Sequence, residues 1–199
     1  MELLVPALTA TPKLSSFVDA LTILLRSAPD EAQLMRQGKE LLARLVQRDD
    51  WLPDDFARAN PERYRQYLLY LDPDEKFSVV SFVWGPGQAT PIHNHTVWGL
   101  VGVLRGCERA QAYRIDSRGE CAAWGSPVLM HPGDVESVSP SQGDIHAVSN
   151  AQSDGTSISI HVYGANIGKV KRKVFREDGS AREFVSGYDN PPADSRLAP

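Results

Sequence analysis

Apolar side chains recur every three or four residues from Ser15 to about Arg48, the spacing of one face of an α-helix. Phe17, Val18, Leu21, Leu24 and Leu25 form one stripe, and Leu34, Leu41, Leu42 and Leu45 form a second. Ser16 and Asp19 stand at the spacing of a capping box, and Pro29-Asp30-Glu31 interrupts the pattern and restarts it as a second helix. A short third helix is expected near Asp54 to Ala59. From Gln66 the period shortens. β-rich runs alternate with Gly, Pro and Asp turns at Tyr67 to Leu71, Phe77 to Trp84, Val97 to Leu104, Arg109 to Ile115, Val135 to Val138, His146 to Val148, Ser157 to Tyr163 and Val170 to Phe175. That strand density predicts a mainly β chain: an antiparallel β-barrel over about 66–176, with a helical N-terminal subregion over about 15–60 packed against it. The Pro-rich stretch after Gly187 (187–199) is expected to be irregular. No internal repeat and no interdomain linker divide residues 1–199, so a single domain is expected.

Bulk composition narrows the function classes. A chain of 199 residues is long enough for one domain with a sizeable core. Its net charge of −4 leaves no basic footprint for nucleic acid or for an anionic membrane surface. No run approaches the roughly 18 apolar residues of a membrane span. The opening MELLVPALTATPK lacks the basic start and long apolar core of a signal peptide. Two cysteines, Cys107 and Cys121, are too few for a disulfide framework and suit a reducing compartment, so a cytoplasmic location is expected.

The candidate chemistry lies in three places. His93 and His95 stand one residue apart in a β-rich stretch, and in an extended strand such a pair projects to one face, where both imidazoles can reach one metal ion. His146, about fifty residues on, is a third candidate if another strand brings it across the barrel. Ser159, His161 and Tyr163 alternate with Ile158, Ile160 and Val162. An inward polar row of that kind must satisfy itself, because each unpaired buried polar group costs about 1–3 kcal/mol. Arg172 lies between Lys171 and Lys173, with Val170 two residues before it. If the lysines face solvent, the arginine faces inward. His131, beside the Pro132-Gly133 turn and without a partner two residues away, reads as structural; Trp84 and Trp98 read as core or cavity wall, and the two cysteines as small inert hydrophobes.

Gly87 to Gly106 resembles the first half of the cupin signature, with Gly87, His93, His95 and Gly106 in register. Gly99 stands where that signature carries a glutamate ligand, and there is no carboxylate from Gly87 to Gly106. Gly143, His146 and Asn150 match the second half. With the Ser-X-His-X-Tyr row, the chain is similar to the thiol dioxygenases, the cupin family of cysteine dioxygenase, and most similar to their bacterial 3-mercaptopropionate branch through RYRQYLLYLD, FSVVSFVWGPGQATPIHNH, VWGLVGVLRG and SISIHVYGANIG.

The resemblance implies a cupin (jelly-roll) barrel holding one Fe(II) per chain on His93, His95 and His146, and a catalytic chain of Ser159, His161 and Tyr163. It implies a substrate carboxylate bound by Arg172 and Gln66 with the Tyr163 hydroxyl, and partners limited to O2 and a small thiol-carboxylate. The register at Gln66 matters, because Arg65 is adjacent. The implied reaction converts 3-mercaptopropionate and O2 to 3-sulfinopropionate; the alternatives are L-cysteine as substrate, a zinc site on the three histidines, and a non-catalytic small-molecule-binding cupin. Mammalian-type members join a cysteine near the HXH pair to the tyrosine as a thioether; Gly99 and Leu100 occupy that neighbourhood here, so no cross-link is expected.

Overall fold

Two helices lead the chain in the computed structural model, which describes residues 11–190. The first, α1 (Pro12–Arg26), begins earlier than the Ser16–Asp19 pair predicts. Pro12 sits at the first helical position, where its missing N–H would have had no intrahelical partner and its fixed φ already suits the helix. Thr11 precedes it without a side-chain cap, and the Ser16 hydroxyl donates to the Pro12 carbonyl at 2.8 Å from inside the first turn. The capping box therefore does not form. The second helix, α2 (Glu31–Val46), restarts at Asp30, whose carboxylate accepts from the Gln33 N–H at 2.7 Å. The expected third helix shrinks to one 3-10 turn over Asp54–Phe56. Phe56 is its single large apolar residue, too little to make a stripe worth burying.

Among the described residues eleven strands follow, all paired antiparallel, in two sheets. The first contains β1 (Arg65–Leu71), β2 (Ser78–Trp84), β9 (Ser157–Tyr163), β4 (Gly99–Arg105) and β7 (Val135–Val138), in that spatial order. The second contains β11 (Ala181–Phe184), β10 (Arg172–Phe175), β3 (Ile92–His93), β8 (His146–Asn150), β5 (Glu108–Ile115) and β6 (Cys121–Met130). The architecture is the expected jelly-roll barrel with helices at its N-terminus. Three strands go beyond the sequence pattern: β3, β6 and β11. Most of β6 is exposed, including Trp124, Val128 and Leu129, so AAWGSPVL carries no inward-outward alternation to read. The barrel consequently runs past Phe175 to Phe184.

The first sheet is covered on both faces, which is why its strands read as nearly continuous apolar runs. On its outer face, Val79, Val83, Leu100, Leu104, Ile158, Ile160 and Val162 pack with Leu21, Leu24, Leu42 and Val46 of the two helices. A Cβ on Gly38 would stand 2.7 Å from the Leu100 side chain, so the glycine lets α2 lie directly on β4. On the inner face, Leu68, Val80, Phe82, Trp84 and Tyr163 meet Val148 of the opposite sheet. The interior between the sheets therefore has one apolar wall and one polar row.

The segment after β11 has no regular secondary structure as far as Asn190, yet it is tied down. The Tyr188 hydroxyl donates to Asn166 Oδ1 at 2.7 Å and accepts from the Gly168 N–H at 3.0 Å. Asp189 accepts from the Gln66 N–H and from the Arg65 guanidinium, both at 2.7 Å. The Asn190 amide brackets Leu68 through both its backbone N–H and its carbonyl. Residues 191–199 lie outside the described part of the chain. No helix among the described residues is long and apolar enough to cross a membrane.

Candidate metal centre

His93 and His146 face each other directly across the β3–β8 pair, and the loop after β3 returns His95 to the same point. Their ring centroids are 4.9 Å (His93–His95), 5.0 Å (His93–His146) and 4.7 Å (His95–His146) apart. One nitrogen from each can be chosen so that all three lie within 4.8 Å of one another. The loop is set by Asp144, which the sequence pattern did not single out: its carboxylate accepts from the N–H groups of His95 at 3.1 Å and Thr96 at 2.8 Å. Thr96 needs that support, since its φ is 60°.

Backbone carbonyls fix two of the imidazole tautomers. His93 Nδ1 lies 3.0 Å from the Pro91 carbonyl and His95 Nδ1 lies 3.0 Å from the Asp144 carbonyl. A carbonyl only accepts, so each Nδ1 carries the proton and each Nε2 presents a lone pair. His95 Nε2 is buried and has no hydrogen-bond partner. Burial holds all three rings neutral: it pulls the His93 pKa down to about 4, with the Arg172 charge adding to the effect, and those of His95 and His146 well below the ordinary range, where neighbouring imidazoles add to it. Three neutral, convergent imidazoles, one with an orphaned nitrogen, form a donor set that fits a divalent metal ion.

Beside this cluster runs the polar row of β9. Ser159 Oγ is 2.8 Å from His161 Nε2, and His161 Nδ1 is 2.8 Å from the Tyr163 hydroxyl. The Phe82 ring stacks on His161 at 4.0 Å, and the Tyr163 ring stacks on His95 at 5.5 Å. Burial lowers His161 to about 3 and raises Tyr163 well above its usual value, so both are neutral. Gly99 lies opposite Tyr163 on β4, and a Cβ there would sit 3.1 Å from the ring.

Arg172 opens β10 and is 4% exposed. Its Nη2 donates to Ser186 Oγ at 2.6 Å, its guanidinium carbon lies 4.6 Å from the centre of the Phe184 ring, and its Nε has no partner. Burial lowers its pKa, opposed by Tyr163, Tyr64 and Tyr188, and among the described residues no carboxylate pairs with it. Tyr64, Ser186 and Tyr188 had no sequence signal, being single polar residues in irregular segments. Gln66 lies directly opposite Phe82, and residues opposite one another in an antiparallel pair share a face. Its side chain therefore belongs to the interior face, whereas Arg65 turns outward to Asp189. His131 stands apart from the cluster, with its N–H on Asp134.

The model of the family described as cysteine dioxygenase type I matches residues 9–175. The chain belongs to that family. Membership implies dioxygenase chemistry on a small thiol, and the histidine cluster is compatible with the metal such chemistry requires. Solved structures with similar barrels include an uncharacterized conserved protein with a double-stranded β-helix domain from Klebsiella pneumoniae (16% identical, covering 69% of this chain and 92% of that chain, TM-score 0.46). A Cupin 2 conserved barrel domain protein from Salinispora arenicola is 20% identical over 58% of this chain and 86% of that one, with a TM-score of 0.41. A cupin superfamily protein from Desulfitobacterium hafniense is 15% identical over 60% and 94%, with a TM-score of 0.44.

Two expected results follow from this geometry. Buried neutral histidines bind protons more readily in the unfolded chain, so the metal-free protein should lose stability as pH falls below about 6.5. For His93 the loss runs down to its folded pKa of about 4, at about 1.4 kcal/mol per pH unit. Glu108, raised to about 7 by burial, works in the opposite direction between its unfolded and folded values, but it is one group against His93, His95, His146 and His161. Urea midpoints that stay constant from about pH 7 to 5 would contradict this balance. The second result concerns sulfur: Cys107 lies in the β4–β5 turn and Cys121 pairs with Ile115 at the start of β6, so neither occupies the position under the Tyr163 ring. Replacing both with serine should leave most turnover intact. A peptide joining Tyr163 to either cysteine, lighter by a pair of hydrogens, would show the expectation to be wrong.

Proposed function

We propose that this member of the family is an Fe(II)-dependent dioxygenase that converts 3-mercaptopropionate and O2 to 3-sulfinopropionate, with L-cysteine as the runner-up substrate. Arg172 is the observation that carries the substrate reading. An almost fully buried guanidinium with no carboxylate partner is costly unless an anion joins it. The planar fork matches a carboxylate, and the half-free Arg172 donors offer the second anchor that a metal-bound thiol lacks. Gln66 on the same interior face and the Tyr163 hydroxyl would complete the carboxylate site.

Iron held by His93, His95 and His146 would supply the positions at which the thiolate and O2 meet, and the three neutral ligands leave its charge available to the thiolate. The chain's own residues do the rest. Arg172 aligns the substrate, Tyr163 presents its hydroxyl to the pocket, His161 holds Tyr163, and Ser159 holds His161. Phe82, Val80 and Trp84 keep water out. A substrate ammonium finds little here. Asp144 is committed to the His95 and Thr96 amides, and no other carboxylate among the described residues bonds Arg172, His93, His95 or His146. This favours a thiol acid without an amine over cysteine. The free thiols of Cys107 and Cys121 support a cytoplasmic setting.

The test is O2 uptake by the iron-loaded protein with 3-mercaptopropionate, cysteine and cysteamine, with the sulfinate identified by mass. The expected order of kcat/KM is 3-mercaptopropionate first, cysteine second and cysteamine last. Faster turnover of cysteine would move the assignment to the runner-up. Stoichiometric zinc with no O2 uptake would replace it with a hydrolytic three-histidine site.

A further inference from the structure

Among the described residues, Glu108 is the only acidic residue buried as a whole, and nothing in the proposed reaction uses it. It lies on β5 opposite Met130 and Asn150, and on the same inward face as Ala110 and Ala112. One oxygen, Oε1, lies 2.9 Å from the Ser157 hydroxyl, whose single proton it shares as acceptor with the Arg105 carbonyl at 3.0 Å, and the other, Oε2, is buried without a hydrogen-bond partner. Ser159 and Trp84 lie within polar reach, but the Trp84 N–H is aimed at Ser159 Oγ at 3.2 Å. No lysine or arginine faces the carboxyl. Its surroundings are Ser157 and Ser159 from β9, Trp84 from β2, Met130 from β6, and Asn150 from β8, whose amide donates to the backbone of Trp84, Gly85 and Gly155. The titratable neighbours are Cys107, adjacent in the chain, and His161 and Tyr163 farther along β9. Ser157 alone meets one oxygen; the second is buried without a partner, with the Ser159 hydroxyl as its nearest polar side chain on β9.

We propose that Glu108 is a positioning residue that stores one proton at the inner end of this chain and thereby sets the direction of every hydrogen bond in it, including whether the Tyr163 hydroxyl donates to the pocket or accepts from it. With the Ser157 proton directed at Oε1 and not at the Arg105 carbonyl, donor and acceptor counts leave two saturated arrangements. With Glu108 ionised, the Ser159 O–H donates to the carboxylate while Oγ accepts from Trp84 and from His161 Nε2–H. His161 Nδ1 then accepts from Tyr163, and the phenol oxygen faces the pocket as an acceptor. With Glu108 protonated, its O–H donates to Ser159 Oγ, Ser159 donates to His161 Nε2, and His161 Nδ1–H donates to Tyr163, whose own O–H faces the pocket.

Passing from the first arrangement to the second takes one proton from the pocket onto the Tyr163 oxygen. The Tyr163 proton moves to His161 Nδ1, the Nε2 proton to Ser159, and the Ser159 proton to Glu108. Each intermediate group ends with as many protons as it began with, so only Glu108 changes charge. Burial, which brings Glu108 to about 7, puts both arrangements within reach near neutrality. What the pocket end of the chain meets rests on the dioxygenase reading; the coupling of Glu108 to His161 does not.

The experiment is nitrogen-15 NMR of the full chain labelled at histidine, without metal and with zinc as a diamagnetic occupant, from about pH 5 to 9. His161 should be the Nδ1–H tautomer at the acid end and the Nε2–H tautomer at the alkaline end. In Glu108→Gln the side-chain amide keeps the Ser157 contact and donates permanently to Ser159, so His161 should stay Nδ1–H throughout. Ser157→Ala removes a hydrogen bond that favours the ionised carboxylate, so the midpoint should rise by about one pH unit. This second variant leaves the chain itself untouched and serves if the first does not fold. In turnover, Glu108→Gln should lose the pH limb that coincides with the wild-type tautomer midpoint. A His161 tautomer that never changes in the wild type, or a midpoint unmoved in both variants, overturns the proposal. A tautomer switch in a protein that consumes no O2 with any thiol supports it and removes the dioxygenase reading instead.

Discussion

Replacing His93 with alanine should abolish iron retention, and turnover with it. The variant keeps two imidazoles, His95 and His146, and these rarely hold a labile divalent ion. The loss should exceed the roughly 10–100-fold seen when only a group supporting a ligand is removed. The fold should tolerate the change, because the pairing of β3 with β8 and β10 is made by the backbone. The measurement is iron per chain after gel filtration, alongside a melting curve. Stoichiometric iron in a folded variant would remove His93 from the ligand set and point to another donor. The same measurement on His161→Ala should show iron retained with turnover impaired, since His161 is engaged by Ser159 and Tyr163 and not by the cluster.

Arg172→Ala should cost about 2–5 kcal/mol in kcat/KM for 3-mercaptopropionate, appearing mainly as a raised KM. The variant leaves a substrate carboxylate among Tyr64, Tyr163, Tyr188 and Phe184 with no charge to meet it. Arg172→Lys should fall between wild type and alanine, because it restores charge without the fork. Cysteamine separates binding from scaffolding: it has no carboxylate, so its turnover should fall far less. Equal losses for both thiols would make Arg172 a structural residue, pinning Ser186 and the start of β10. No loss for either would remove it from the site altogether.

The parts of this site readable from sequence are those carried by a single short period. Ser159, His161 and Tyr163 alternate with three β-branched residues on one strand, so their common face follows from the pleat alone. His93 and His95 are legible for a related reason, although β3 ends at His93 and a loop held by Asp144 supplies the return. Bringing His146 opposite His93 required a strand order that spacing alone does not specify. Glu108 was invisible because one acid in Gly106-Cys107-Glu108-Arg109 looks like a charged turn, and only the pairing of β5 with β8 turns it inward. The strand β6 is not legible because both its faces are largely exposed, and the expected Ser16–Asp19 cap does not form because Pro12 starts the helix earlier. The tail to Asn190 read as irregular from its prolines; its role came from Asp189 and Asn190 gripping the β1 backbone.

The two halves of the centre are embedded to very different depths. The strand that carries Ser159, His161 and Tyr163 lies in the middle of its sheet, flanked by β2 and β4 and buried along its whole length. His93 sits on a strand of two residues, and His95 on the loop beyond it. Opening free energies in native proteins track this kind of embedding. Amide exchange should therefore be slowest along Ser157–Tyr163, close to the limit set by global unfolding, and much faster around Asn94 to Val97. A chelator could then draw the metal out through local fraying of the His95 loop while the barrel stays closed, so the chain would survive repeated cycles of emptying and refilling without refolding.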